Sequence, residues 1–257
     1  MADISDGDRA LPLTGRTALV TGAAKRIGRG VAMALAETGA DVIVHYRGSR
    51  GEAEATASLI RRAGRQAWCV QADLAEPDQA ATLLARAAEA AAAPVDILIN
   101  NASTFTADTV MDFTPQNLLA SVQLHAMAPL VLSRAFAAQQ IPAGDIVNFL
   151  DSRMEDYDRR HVSYHLGKRM LWTITRMLAM ELAPAIKVNA VAPGLILPPE
   201  GRDEQYLAGL AHTNPLNRVG SVAGVAAAVK MLVESDFITG QVIYVDGGRH
   251  MRGCVYG

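Results

Sequence analysis

Two cysteines, Cys69 and Cys254, are all the chain carries. They could make one disulfide at most, and so low a count favours a reducing compartment over a stapled secreted fold. Aromatic residues fill only 5% of the 257 positions, and the formal charge is −2. No basic field exists to hold a phosphate backbone, which argues against nucleic acid as a partner. No uninterrupted stretch approaches the roughly 20 apolar residues of a membrane span. Met1–Arg9 holds three aspartates and no apolar core, so it does not read as a signal peptide. The expectation is a cytoplasmic protein without membrane contact, with residues 1–12 as a disordered tail. His161 and His165 flank a tyrosine without metal-ligand spacing, so no metal is expected.

Short β-branched runs alternate with alanine-rich stretches through the rest of the chain. Strands are predicted at Thr17–Val20, Asp41–His45, Gln66–Val70, Asp96–Ile99, Asp145–Leu150, Ile186–Val191 and Gln241–Val245. Helices are predicted at Ile27–Thr38, Gly51–Ala63, Pro77–Ala92, Pro115–Gln140 and Val162–Leu182. The alternation argues for βαβ crossovers. The strands are nearly all apolar, as strands covered on both faces should be. The predicted fold is α/β, a single doubly wound parallel sheet of Rossmann type with helices on both faces. Residues 13–257 make one domain.

Thr21–Gly30 follows the first strand and opens the first helix. Its glycines, Gly22 and Gly28, allow a tight turn that brings backbone N–H groups to a pyrophosphate at the helix N-terminus. Lys25, Arg26 and Ile27 lie between them. An NAD-binding second strand usually ends in a carboxylate for the ribose 2′-hydroxyl. Here it runs into Tyr46, Arg47, Gly48 and Ser49, with no carboxylate until Glu52. Arg47 and Ser49 would suit a 2′-phosphate, which favours NADPH; the alternative is that the arginines merely open a solvated helix. Tyr164 and Lys168 are four residues apart, so on a helix they share a face. A cation near the phenol is expected to lower its pKa toward the range of a general acid.

The Thr-Gly-x-x-x-Gly-x-Gly spacing, with Arg26 in place of the middle glycine, resembles the short-chain dehydrogenases/reductases. So does Tyr-x-x-x-Lys, and the resemblance runs from about Leu13 to Gly248. It implies that Asp73 contacts the adenine, and that Leu74, Asn101, Ala102, Ser103, Pro193, Gly194 and Ile196 belong to the cofactor site with Tyr164 and Lys168. The family usually has a serine thirteen residues before the tyrosine; Asp151 stands there, with Ser152 beside it. A carboxylate at that place, Lys25-Arg26-Ile27-Gly28, and Asn101-Ala102-Ser103-Thr104-Phe105 are similar to the pteridine reductases of this family. The resemblance implies a homotetramer that reduces a pterin such as dihydromonapterin, dihydrobiopterin or dihydrofolate. Asp151, Tyr164 and Lys168 would be catalytic, with Arg26, Ser103 and Phe105 holding the substrate. The usual helix asparagine is His125 here, either as a proton relay or as a structural residue. Leu195–Glu204 falls where the family has a substrate loop. The alternatives are a carbonyl reductase that uses Ser152, and a regulatory protein that binds NADPH without turnover.

Overall fold

A computed structural model describes residues 11–155, 158–199 and 201–254. Residues 1–10 of the expected tail lie outside the described residues, while Leu11 begins a turn that brings Leu13 into the core. Among the described residues, seven strands form one parallel sheet in the order β3-β2-β1-β4-β5-β6-β7. They are β1 (Thr17–Val20), β2 (Asp41–Tyr46), β3 (Ala67–Gln71), β4 (Ile97–Asn100), β5 (Gly144–Phe149), β6 (Ile186–Pro193) and β7 (Val242–Val245). Each observed strand overlaps a predicted one.

The helices are α1 (Arg26–Glu37), α2 (Arg50–Arg62), α3 (Pro77–Ala91), α4 (Pro115–Val122), α5 (Ala128–Ala138), α6 (Val162–Glu181), α7 (Glu204–Leu210) and α8 (Val222–Glu234). Helix α1 packs between α2 and α8, and the core there joins Val31 and Leu35 to Val225 and Val229. Across the sheet, α3 packs on α5 and α4 on α6, over a core that holds Leu83, Leu98, Leu132 and Phe136. Apolar strands covered on both faces are what the composition required. The alanine-rich stretch is the ordinary helix α3, because alanine forms helix well and lets it sit close.

Two expectations need correction. The predicted continuous helix Pro115–Gln140 is interrupted at Gln123–Met127 by one π-helical turn. Pro129 is the cause: it has no N–H for the His125 carbonyl four residues back, and its ring would clash with that carbonyl. Second, the run Pro115–Ala138 spans 24 residues and holds a stretch of 18 with mean hydropathy 1.2, so by length and composition alone it could cross a membrane. Counting uninterrupted apolar residues misses it, because Gln123, His125 and Arg134 break the run. Leu124, Ala128, Leu132 and Phe136 from this run are packed in the core.

Helices α7 and α8 were not predicted, although each has a capping signal. Asp203 accepts the Tyr206 N–H at 3.0 Å, and Ser221 accepts the Gly224 N–H at 3.1 Å. The strand order reverses between β1 and β4, both of which end beside the first glycine-rich loop. A ligand is expected at such a reversal, beyond the carboxyl ends of the strands.

Candidate active site

The loop after β1 and the loop after β4 are stitched together. Thr21 Oγ1 accepts the N–H groups of Asn101 (2.9 Å) and Ala102 (3.0 Å), and Asn101 Nδ2 donates to the Thr21 carbonyl at 2.8 Å. Gly22 takes φ +65°, which glycine adopts at little cost. A Cβ on Gly28 would lie 2.2 Å from the Gly22 carbonyl oxygen and 2.6 Å from Asn101 Nδ2, so only glycine fits.

Beneath the loop, His45 Nδ1 accepts the Gly22 N–H at 3.0 Å, which leaves Nε2 to donate to the Ala72 carbonyl at 3.1 Å. Burial pushes this imidazole down to about 4, so it stays neutral and holds the loop in place. Reading the sequence missed His45. A lone histidine inside an apolar strand was the available signal.

These loops enclose a cavity of about 390 Å³. Of the residues predicted to bind cofactor, Gly22, Lys25, Arg26, Ile27, Gly28, Tyr46, Arg47, Ser49, Asp73, Leu74, Asn101, Ala102 and Ser103 line it. Ala24, His45, Gly48, Ala72, Thr104 and Leu124 line it too, without having been predicted. The donor set fits a phosphorylated dinucleotide: a glycine cradle at a helix N-terminus, with Lys25, Arg47 and Ser49 nearby and Tyr46 where an NAD site has its carboxylate. Asp73 also makes the local turn that short acidic residues favour, accepting the Ala75 N–H at 3.0 Å. Pro193 ends β6 and Gly194 follows it, its N–H donating to the Val245 carbonyl at 3.0 Å; neither lines the cavity. The Ile196 side chain is packed into the core and does not line the cavity.

Arg26 departs from what its chemistry suggested. Its φ is +58°, the left-handed region where a glycine would be at ease, which explains the glycine of the resembled pattern. Its guanidinium donates to the Pro198 carbonyl at 2.7 Å and so fastens the loop after β6.

Asp151 follows β5, and Tyr164 and Lys168 stand on α6. The Tyr164 hydroxyl donates to Asp151 Oδ2 at 3.0 Å, while Asp151 Oδ1 accepts the Arg153 N–H at 2.8 Å. Ser152 is buried, and its N–H donates to the Pro193 carbonyl at 3.2 Å. The acidic side chain, rather than the neighbouring serine, therefore meets the phenol. Lys168 Nζ lies 5.8 Å from the Tyr164 ring centroid and donates to the Phe149 carbonyl at 2.5 Å.

The expectation that Lys168 lowers the phenol pKa is overturned. Burial first, then the Asp151 charge and its hydrogen bond, hold Tyr164 well above the usual tyrosine value. Burial pushes Lys168 down to about 8, a fall opposed by Asp151. The site therefore keeps a protonated phenol between a carboxylate and a buried amine.

Phe105 is half exposed and meets Tyr164 edge-on, with ring centroids 4.8 Å apart. One face stacks on His161 at 3.7 Å, and His161 Nδ1 pairs with Asp158 Oδ2 at 3.0 Å. Asp158 in turn pairs with Arg153 at 3.0 Å. His161 is a supporting residue that the sequence reading set aside. His125, buried in the π turn, bonds Ser121 and Ser103.

A family model described as "Enoyl-(Acyl carrier protein) reductase" matches residues 22–250. The dihydromonapterin reductase of Enterobacter sp. (strain 638) is 32% identical over 241 residues, covering 92% of this chain and 98% of that protein. Among solved structures, FolM alternative dihydrofolate reductase 1 from Brucella suis in complex with NADP is 33% identical, with TM-score 0.88 and coverage of 95% and 98%. The reductase LugOII, which catalyses keto-reduction at C1 in lugdunomycin biosynthesis, is 31% identical with TM-score 0.87, covering 93% and 99%. The chain belongs to the short-chain dehydrogenase/reductase family. Within it, the chain is an NADP-dependent oxidoreductase.

Proposed function

We propose that the chain reduces a C=N bond of a dihydropterin. The observation that carries this reading is the hydrogen bond from Tyr164 to Asp151. A carboxylate beside the phenol opposes the negative charge that develops on a carbonyl oxygen during reduction. It favours instead a heterocycle whose N–H groups can donate to it. The half-exposed Phe105 ring next to Tyr164 offers a flat surface on which such a heterocycle would stack.

When bound, NADPH supplies the hydride from its nicotinamide. Tyr164 delivers its hydroxyl proton to the substrate nitrogen, and the partly exposed Asp151 returns a proton from solvent to the phenol oxygen. The Lys168 ammonium steadies the negative charge shared by those two groups and holds the nicotinamide ribose. Arg47 and Ser49 take the 2′-phosphate, and the Gly22–Gly28 loop takes the pyrophosphate. Arg26, fixed to the Pro198 carbonyl, brings the loop after β6 over the substrate. Ser103 lines the side shared by cofactor and substrate.

The relatives named as dihydromonapterin reductase and as an alternative dihydrofolate reductase support this reading. Its test is NADPH oxidation by the wild-type enzyme with quinonoid and 7,8-dihydropterins, dihydrofolate, and a panel of ketones and 3-oxoacyl thioesters. A kcat/KM for a dihydropterin well above that for every ketone is expected. Ketone turnover with no pterin turnover would overturn the reading.

Leu166, Met170, Met177 and Met180 are exposed along one side of α6. This stripe is offered as the surface on which copies of the chain pair toward a homotetramer. It supports that assembly because buried methionine and leucine faces stabilise association.

A further inference from the structure

The π turn places His125 edge-on to Tyr164, with ring centroids 5.3 Å apart. The ring is 1% exposed, and both nitrogens are engaged. The Thr104 N–H can only donate, and it reaches Nε2 at 3.3 Å. Nε2 therefore carries its lone pair, and the ring proton is assigned to Nδ1. Nδ1 donates to Ser121 Oγ at 3.0 Å, and Ser121 gives its own proton to the Ser163 carbonyl at 2.8 Å. Ser103 Oγ lies 2.9 Å from Nε2 on the loop side.

The chain of contacts ends on the catalytic helix. Ser163, the residue before Tyr164, donates its N–H to Asp108 Oδ1 at 3.1 Å and its hydroxyl to Asp108 Oδ2. Helix α6 also comes close at Gly167, where a Cβ would lie 3.1 Å from the His125 Cβ. The loop after β4 is thus held in two halves. Thr21 holds Asn101 and Ala102, and His125 holds Ser103 and Thr104.

We infer that His125 is a positioning residue that clamps the Ser103–Phe105 segment to the helix carrying Tyr164, and that it is not a station on the proton path. The part of this inference that concerns substrate rests on Phe105 as the stacking surface of the proposed function. On the Nδ1 side Ser121 gives its proton to the Ser163 carbonyl, which cannot pass one on, and at Nε2 the Thr104 amide holds the lone pair without passing on its own proton, so the contacts lead a proton nowhere. Burial and the Lys168 charge push it down to about 3, in keeping with a permanently neutral ring.

The test pairs two variants of the full-length enzyme. His125→Asn keeps a donor for Ser121 but cannot reach Thr104. His125→Gln reaches Thr104 but gives up the donor to Ser121. Hydrogen exchange at the Thr104 amide, read by mass spectrometry without substrate, should speed up about tenfold in His125→Asn and return toward wild type in His125→Gln. Substrate KM should rise about fivefold to tenfold in His125→Asn, with kcat and its solvent isotope effect within about twofold of wild type. Unchanged exchange at Thr104 would overturn the clamp. A fall in kcat with a changed isotope effect and an unaltered KM would show a relay instead. If His125→Asn does not fold, His125→Gln decides alone: wild-type exchange and KM are expected, and loss of both would refute the inference. Because exchange needs no substrate, failure of the clamp is distinguishable from failure of the pterin reading, which would appear as absence of wild-type pterin turnover.

Discussion

Replacing Lys168 by methionine should stabilise the cofactor-free protein while abolishing its activity. The amine is 2% exposed, and burial pushes it from 10.5 down to about 8. Below pH 8 the folded state must carry that ammonium out of water, at a cost of about 3 kcal/mol for a fall of this size. The cost is fully present at pH 7 and fades as pH rises from 8 to 10.5, because there the unfolded chain binds the proton and the folded one does not. Methionine has a similar shape and no charge, so it removes the cost. It also leaves the Phe149 carbonyl without its 2.5 Å partner, a loss of about 1 kcal/mol. The net gain at pH 7 is about 2 kcal/mol, which for a chain of this length raises Tm by about 5 °C. Thermal unfolding of wild type and variant at pH 7 and at pH 10.5, without NADPH, measures it. The gain should shrink or reverse at the higher pH. A variant less stable than wild type at pH 7 would refute the reasoning.

Arg47→Ala should weaken NADPH binding about tenfold to a hundredfold and leave NADH binding unchanged, since a charged pair to the 2′-phosphate is lost; fluorescence titration with both nucleotides checks this. Arg26→Gly should keep Tm within a few degrees of wild type. Relief of left-handed backbone strain, about 1 kcal/mol, offsets the lost bond to the Pro198 carbonyl. Hydrogen exchange across 194–199 should nevertheless speed up in that variant. Met177→Lys places a charge in the exposed stripe of α6 and should lower the mass found by light scattering if that face pairs copies of the chain.

Much of the fold was legible because its signals are local. Apolar runs of four to eight residues placed every strand to within two residues at either end, and the glycine-rich turn after β1 pointed to a loop that lines the cavity. Asp151, Tyr164 and Lys168 were legible from spacing and resemblance, and the structure brings Asp151 and Tyr164 into contact. The misses concern what only tertiary structure decides. The continuous helix predicted over Pro115–Gln140 passed over Pro129, and even that residue does not say that the chain would take a π turn. The raised phenol pKa depends on burial and on the orientation of Asp151, neither of which spacing reveals. His45 and His125 each look like a lone histidine in sequence. Their roles follow from backbone N–H groups of other segments, Gly22 and Thr104, that fold against them.

The decisive measurement compares wild type with Asp151→Ser in NADPH oxidation, using a dihydropterin and a ketone side by side. If the carboxylate binds the heterocycle and resupplies the proton of Tyr164, serine should lower dihydropterin kcat/KM by a factor of about 100 or more and leave ketone reduction unchanged or improved. Dihydropterin reduction that survives in Asp151→Ser at near wild-type kcat/KM would contradict that role for the Asp151–Tyr164 pair.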